Sequence, residues 1–357
     1  MANLSDLEEK IEPIIKAIYE TYEKKEATEQ ARGYIGASVI GKECKRALWY
    51  AFRWVDREQF DGRMLRLFQT GHLEEPRLVA DLRNTGATVW DCDPATGKQF
   101  NAQDHGGHMR GHCDGVAKNI LGTDRSPHLL EFKTHSTKSF AELIKKGLAD
   151  AKPMHYWQMQ WYMGQMKLAK GLYMAKNKDT DELFAAYVEF DEALYQKIRD
   201  KAESIIFSDR PPEKIHSDGK YYICNMCSFK DVCHGTKPPK FSCRTCVHVT
   251  PEPNGDARWS CAKRQDLDGL SIERQRAGCD EHLVIPDLIN FADAIDAGDG
   301  WIKFKRKNNG LEFIVGFLDS ELPMYTSHEL CSAHDHNSIG NEDIDRIRKH
   351  FGATIEG

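Results

Sequence analysis

Seven of the eleven cysteines in this 357-residue chain fall between residues 224 and 279. That crowding constrains the fold more than any other feature, because thiols so close in sequence must pair, bind metal or pack into a core. The opening MANLSDLEEKIEPI has neither the basic start nor the apolar stretch of a secretory signal. No run reaches the ~18 apolar residues of a membrane span. The chain is therefore read as cytoplasmic, with no membrane partner. In that reducing setting disulfides are rare, so metal chemistry is the expected use of the thiols.

Seven of the cysteines form two groups, Cys44 stands upstream of both, and Cys92, Cys113 and Cys331 are left over. Cys224, Cys227 and Cys233 make C-x2-C-x5-C, three thiolates of a four-ligand site that holds an iron–sulfur cluster or zinc, or else three unligated buried thiols. Cys243 and Cys246 make a C-x2-C knuckle that Cys261 and Cys279 complete, with His248 or His282 as substitutes. Zn²⁺ is the expected ion there, since the polar stretch between these cysteines buries too little apolar surface to fold unaided.

Periodicity divides the rest. The first third reads as helical: an N-terminal amphipathic segment bent at Pro13, then SVIGKECKRALWYAFRW, then LRLFQTGHLEEPRLVADLRNTG. From about residue 87 the period shortens, and ATVWDC, MRGHCDGVAK and PHLLEFKTH read as strands. A helix from Met154 to Lys170, strands GLYMAKNK and LFAAYVEF, and a helix from Glu192 to Ile206 complete a mixed α/β core. HGTKPPKF reads as a boundary, and IKFKRKNNGLEFIV as a hairpin turning at Asn309-Gly310. Its Lys303, Lys305, Arg306 and Lys307 are either a solvated turn or a DNA contact.

Glu131 and Lys133 lie two apart in one expected strand, so both project from one face, with Asp114 on the strand before. Two carboxylates and an amine are what phosphodiester hydrolysis needs: oxygens for Mg²⁺ or Mn²⁺, and an ammonium beside the developing charge. A formal net charge of −6 excludes a basic coat, so any nucleic-acid surface is local. Arg46 is a candidate phosphate contact.

The stretch GHMRGHCDG, followed by PHLLEFKTH and HYWQMQWYM, resembles the ordered motifs of the RecB-like branch of the PD-(D/E)XK nucleases, over roughly residues 36 to 235. The resemblance implies a restriction-endonuclease-like mixed sheet flanked by helices. It assigns the family aspartate to Asp114, its E-x-K pair to Glu131 and Lys133, and its Q-x3-Y helix motif to Gln158 and Tyr162. It gives a further metal ligand to His72, with Glu75 as rival. Members with an iron–sulfur cluster, such as the AddB subunit and the CRISPR-associated exonucleases, place one cysteine before the nuclease motifs and three after. That order implies Cys44, Cys224, Cys227 and Cys233 around a [4Fe–4S] staple. By analogy with a disulfide, closing so long a loop contributes on the order of 4–5 kcal/mol.

The expected organisation is a nuclease domain over 1–235, a cysteine-rich zinc module over 241–285 and a small α+β segment over 286–357. The expected function is metal-dependent DNA cleavage, by an exonuclease processing ends in recombination, repair or phage replication, in a bacterial or phage-infected cell. Single-stranded or end-bearing duplex DNA and a recombination or replication protein are the expected partners. The alternatives are an inactive nucleic-acid-binding scaffold on the same fold and an iron–sulfur redox protein.

Overall fold

The computed structural model describes residues 4–333 and 336–355. Helix α1 (Leu4–Thr28) runs through Pro13 without ending there, and leads by β1 (Ile35–Gly36) to α2 (Lys45–Phe52) and α3 (Gly62–Asn84). Asp61 starts α3 by accepting the Met64 N–H at 2.6 Å. On this amphipathic helix Ile14, Ile15 and Ile18 are exposed.

Next come β2 (Thr88–Trp90), β3 (Asn101–Asp104), β4 (Met109–His112), β5 (Gly115–Lys118) and β6 (His128–His135). Helices α4 (Thr137–Lys146), α5 (Leu148–Ala151) and α6 (Pro153–Met166) then cross to β7 (Lys170–Asn177), β8 (Leu183–Glu189) and α7 (Glu192–Ile206). The main sheet has the order β2-β5-β6-β7-β8, with β6 and β7 parallel and the other pairs antiparallel. This is a mixed α/β architecture with helices on both faces of the sheet. A second sheet, β1-β4-β3, stands beside it.

Alternation along β6 explains the layers. Leu130 and Phe132 pack with Leu172, Met174 and, from α3, Leu78, Val79 and Leu82. Leu129 faces the opposite core, with Tyr173 and Ala175 of β7 and Met159 and Met163 of α6. Each such side chain contributes about 1.5–3 kcal/mol by leaving water. A strand buried on both faces is held in one register, since a one-residue slip would exchange the two sets.

Two expected elements differ in detail. The run MRGHCDGVAK is not one strand: β4 and β5 lie in different sheets, and Asp114 sits in the break between them. A Cβ on Gly115 would meet the Trp90 carbonyl at 2.6 Å, so only glycine lets the chain turn there. The helix expected to reach Lys170 stops at Met166, where Lys167 takes a left-handed conformation and the Leu168 N–H bonds the Met163 carbonyl at 2.9 Å.

Beyond α7 lie α8 (Tyr222–Asn225), α9 (Lys230–Cys233), β9 (Val249–Pro251), β10 (Trp259–Cys261) and α10 (Ile272–Ala277). Cys243, Cys246, Val249, Trp259, Ile285 and Leu288 share one apolar core with α2, α6 and α7. The cysteine-rich segment is thus packed into the α/β body. Two buried arginines fasten it there. Arg244 stacks on Trp54 (3.8 Å to the ring centroid) and Trp259 (4.4 Å), and Arg53 lies over Trp49 and Trp259.

The last segment has its own core of Phe291, Phe304, Phe313 and Tyr325, built on β11 (Ala292–Gly298), β12 (Trp301–Arg306), β13 (Glu312–Gly316) and β14 (Met324–Tyr325), followed by α11 (Ser327–Ser332) and α12 (Glu342–Phe351). The hairpin turns at Asn309-Gly310 as its sequence dictates. Its basic run is neutralised: Lys303 pairs with Glu312 (2.6 Å), Lys307 pairs with Asp293 (3.1 Å), and buried Arg306 donates to the Ile339 carbonyl (2.6 Å). These contacts favour the solvated-turn reading over a DNA contact.

Three buried histidines make the fold acid-sensitive. Burial pushes His108, His135 and His282 each down to about 4. A depressed histidine leaves the unfolded chain binding more protons between pH ~6.5 and 4, so folding stability falls as the pH drops through that window. The loss is on the order of 2 kcal/mol per histidine. Urea midpoints measured at pH 7 and pH 5 should therefore drop markedly, and His108→Phe should shrink the drop. Equal midpoints would contradict this.

Candidate active site

Strand β6 carries Glu131 and Lys133 at alternate positions, and β7 sets Tyr173 opposite Glu131 and Ala175 opposite Lys133. Glu131 is fully buried, and its Oε2 has no hydrogen-bond partner. Its other oxygen accepts a short hydrogen bond from the Lys133 ammonium, which also donates to the Phe132 carbonyl at 3.0 Å. Burial raises the Glu131 carboxyl; Lys133 opposes the rise, and Asp114 and Glu75 add to it. Burial works against the Lys133 charge too, yet Glu131, Asp114 and Glu75 outweigh it and hold the amine protonated. A buried carboxylate with an unpartnered oxygen beside other carboxylates costs stability.

Asp114 joins from the β4–β5 break. Its Oδ2 accepts the Phe132 N–H at 2.7 Å, which ties the aspartate to the strand that bears the E-x-K pair. The fold thus brings Asp114, Glu131 and Lys133 into one charged cluster.

Helix α6 covers this cluster. Buried Tyr162 donates its hydroxyl to the His112 carbonyl at 2.7 Å, two residues before Asp114, and so fixes the strand that delivers the aspartate. A Cβ on Gly111 would stand 2.4 Å from that hydroxyl, so glycine is required for the contact. Gln158, one turn earlier, is buried with its Oε1 unpartnered.

His72 and Glu75 separate cleanly. The His72 side chain is 77% exposed, whereas that of Glu75 is 31% exposed, and after burial its largest perturbation is the Asp114 charge. The periodicity of α3 gives the reason. Gly71 faces Thr134 of β6, Glu74 reaches Lys176 of β7 at 2.7 Å, and Leu78 and Leu82 are core, so the inward face runs 71-74-75-78-82. His72 falls beside that face, its Nδ1 lying 3.4 Å from Glu75 Oε1.

Sequence reasoning missed a polar chain behind the cluster. The Tyr173 hydroxyl lies 2.9 Å from both His135 Nε2 and His155 Nδ1, and Ser139 Oγ is 3.1 Å from His135 Nδ1. With one proton, the phenol donates to one imidazole and accepts from the other. The available signal was His155, three residues before Gln158 on the same helix.

The first cysteine set converges. Cys44, the residue preceding α2, and Cys224, Cys227 and Cys233 of the α8–α9 region line one cavity of about 390 Å³. Arg46, in the same wall, is buried and bonded to the Tyr50 hydroxyl (2.9 Å) and the Pro212 carbonyl (3.0 Å), which commits it to the fold rather than to a phosphate. In the second set, Cys243, Cys246, Cys261 and Cys279 are all free thiols. Among the described residues, no three His, Cys, Asp or Glu side chains already stand as a preformed metal cage. None of the described helices is long and apolar enough to cross a membrane.

The donor chemistry nonetheless suits particular ions. Carboxylate oxygens at Asp114, Glu131 and Glu75, one of them unpartnered, suit a hard divalent ion, and four thiols around a cavity suit an iron–sulfur cluster.

No protein-family model matches the chain, and no curated protein matches it. Among solved structures, the chain is similar to an alkaline exonuclease, LHK-Exo, from Laribacter hongkongensis, at 20% identity, covering 52% of this chain and 90% of that one with a TM-score of 0.36. LHK-Exo in complex with dAMP aligns over 48% and 86%, at the same identity and TM-score. A phage related exonuclease from Haemophilus somnus 129PT aligns at 13% identity over 48% and 91%, again with a TM-score of 0.36. Likenesses of this size carry no inference about activity.

Proposed function

We propose that this chain is a divalent-metal-dependent DNA nuclease of exonuclease type, with Asp114, Glu131 and Lys133 as its catalytic core. One observation supports this above the others: a fully buried Glu131 with an unpartnered oxygen, paired to Lys133 and crowded by Asp114 and Glu75. Asp114, Glu131 and Glu75 would hold Mg²⁺ or Mn²⁺, which when bound supplies Lewis-acid polarisation of a phosphoryl oxygen and a more acidic water. Lys133, a quarter exposed and held protonated, meets the negative charge that develops on the phosphate. Gln158 presents an open amide oxygen beside the same face, able to accept a hydrogen bond from a water or a nucleotide. Tyr162 is a positioning residue that keeps the Asp114 strand in place.

Cys44, Cys224, Cys227 and Cys233 would hold a [4Fe–4S] cluster as a staple between α2 and the α8–α9 region. Its role would be structural, since ligands at Cys44 and at Cys224, Cys227 and Cys233 would tie distant chain segments together. Anaerobically purified chain would then be brown and lose its iron in Cys44→Ser.

The test is incubation of the full-length chain with end-labelled single- and double-stranded DNA in Mg²⁺, in Mn²⁺ and in chelator. Mononucleotide release that requires the ion is the expected result. Absence of cleavage under every condition would defeat the proposal.

A further inference from the structure

We propose that Cys243, Cys246, Cys261 and Cys279 form a zinc site, distinct from the nuclease centre, that locks the cysteine-rich segment onto the α/β body. The four thiols come from three separate stretches that the fold brings together. Cys243 opens and Cys246 ends a 3₁₀ turn in which the Ser242 N–H donates to Thr245 Oγ1 at 3.3 Å. Cys261 ends β10 and is paired with Val249, three residues beyond Cys246. Cys279 follows α10, whose Arg274 carbonyl accepts the Cys243 thiol at 3.3 Å. Only 7% of Cys243 and 4% of Cys246 is exposed.

One further contact suits metal-bound sulfur. The Leu283 N–H donates to Cys246 Sγ at 3.3 Å, a bond that strengthens as sulfur gains negative charge. Among the described residues the four sulfurs do not stand as a preformed cage, and the Cys243 thiol donates to the Arg274 carbonyl. Binding is a closure of the cluster that releases protons.

One histidine substitute drops out: His282 Nε2 is committed to the Ser242 carbonyl (2.9 Å) and the Thr245 hydroxyl (3.3 Å). An all-thiolate, four-ligand, closed set is the donor pattern of structural zinc. The packed surroundings of Cys243 and Cys246 also favour a single ion over a cluster, in contrast to the 390 Å³ cavity around Cys44.

The site has a purpose in the fold. The two residues inside the knuckle are Arg244 and Thr245, and Arg244 donates to the carbonyls of Gly33 (3.1 Å) and Phe52 (2.8 Å) while stacked on two tryptophans. Zinc would fix the loop that inserts this guanidinium, and with it the docking of the segment.

Metal content of the full-length chain, measured by elemental analysis without any DNA, tests the proposal independently of the nuclease reading. The expected result is about one zinc per chain, retained in Cys44→Ser and lost in Cys279→Ser. If Cys279→Ser does not fold, mass mapping of iodoacetamide-labelled native wild type replaces it: Cys243, Cys246, Cys261 and Cys279 should be protected until a chelator strips zinc. Cobalt substituted into the stripped chain should show the visible bands of a tetrahedral thiolate site. Absence of zinc, alkylation at equal rates with and without chelator, iron that follows these four cysteines, or disulfides among them would each overturn it.

Discussion

Glu131→Gln and Lys133→Ala are each expected to slow DNA hydrolysis by about 10³-fold or more, the scale on which lost metal ligation or transition-state charge stabilisation acts. Their effects on stability should differ in sign from each other. Glu131 is buried, raised and half-partnered, so replacing it with the neutral isostere removes a desolvation penalty along with the function. The melting temperature of Glu131→Gln should match or exceed wild type. Lys133→Ala leaves Glu131 without its cation and should lower it. A Glu131→Gln variant that loses activity only because it unfolds would show that the carboxylate is scaffold.

Arg244→Leu should destabilise the chain by about 3–5 kcal/mol. The guanidinium is almost completely buried, has no carboxylate partner among the described residues and instead satisfies three acceptors, Gly33 O, Phe52 O and Gln275 Oε1. Leucine fills part of the volume but leaves all three unsatisfied and empties the space between Trp54 and Trp259. Denaturant titration of the full chain measures this. A loss under 1 kcal/mol would mean that the segment from 241 to 285 docks by apolar contact alone.

The sheet was legible where local pattern and tertiary demand agree. PHLLEFKTH, LFAAYVEF and the helix from Glu192 to Ile206 carry apolar periods that match their surroundings, and the E-x-K spacing placed Glu131 and Lys133 on one face of β6. The choice between His72 and Glu75 was also written in α3, but as a face rather than a motif: Gly71, Glu74, Leu78 and Leu82 define it, and Glu75 lies on it.

What was not legible depended on partners far away in sequence. Nothing near Ile14 or Ile18 says that α1 keeps them exposed. The strand break at Asp114 is set by the Trp90 carbonyl against Gly115. The docking of the cysteine segment turns on Arg244 meeting Trp54, 190 positions earlier. The Tyr173 pair with His135 and His155 likewise joins two strands and a helix, which no local window contains.

Manganese binding tests most directly whether these carboxylates form a metal centre. Titration of the full-length chain with Mn²⁺, followed by electron paramagnetic resonance of the free ion, should reveal a saturable site that vanishes in Asp114→Asn and Glu131→Gln, weakens in Glu75→Gln and survives in His72→Ala. Undiminished Mn²⁺ uptake by Glu131→Gln, or no saturable uptake by the wild-type chain, would contradict the account.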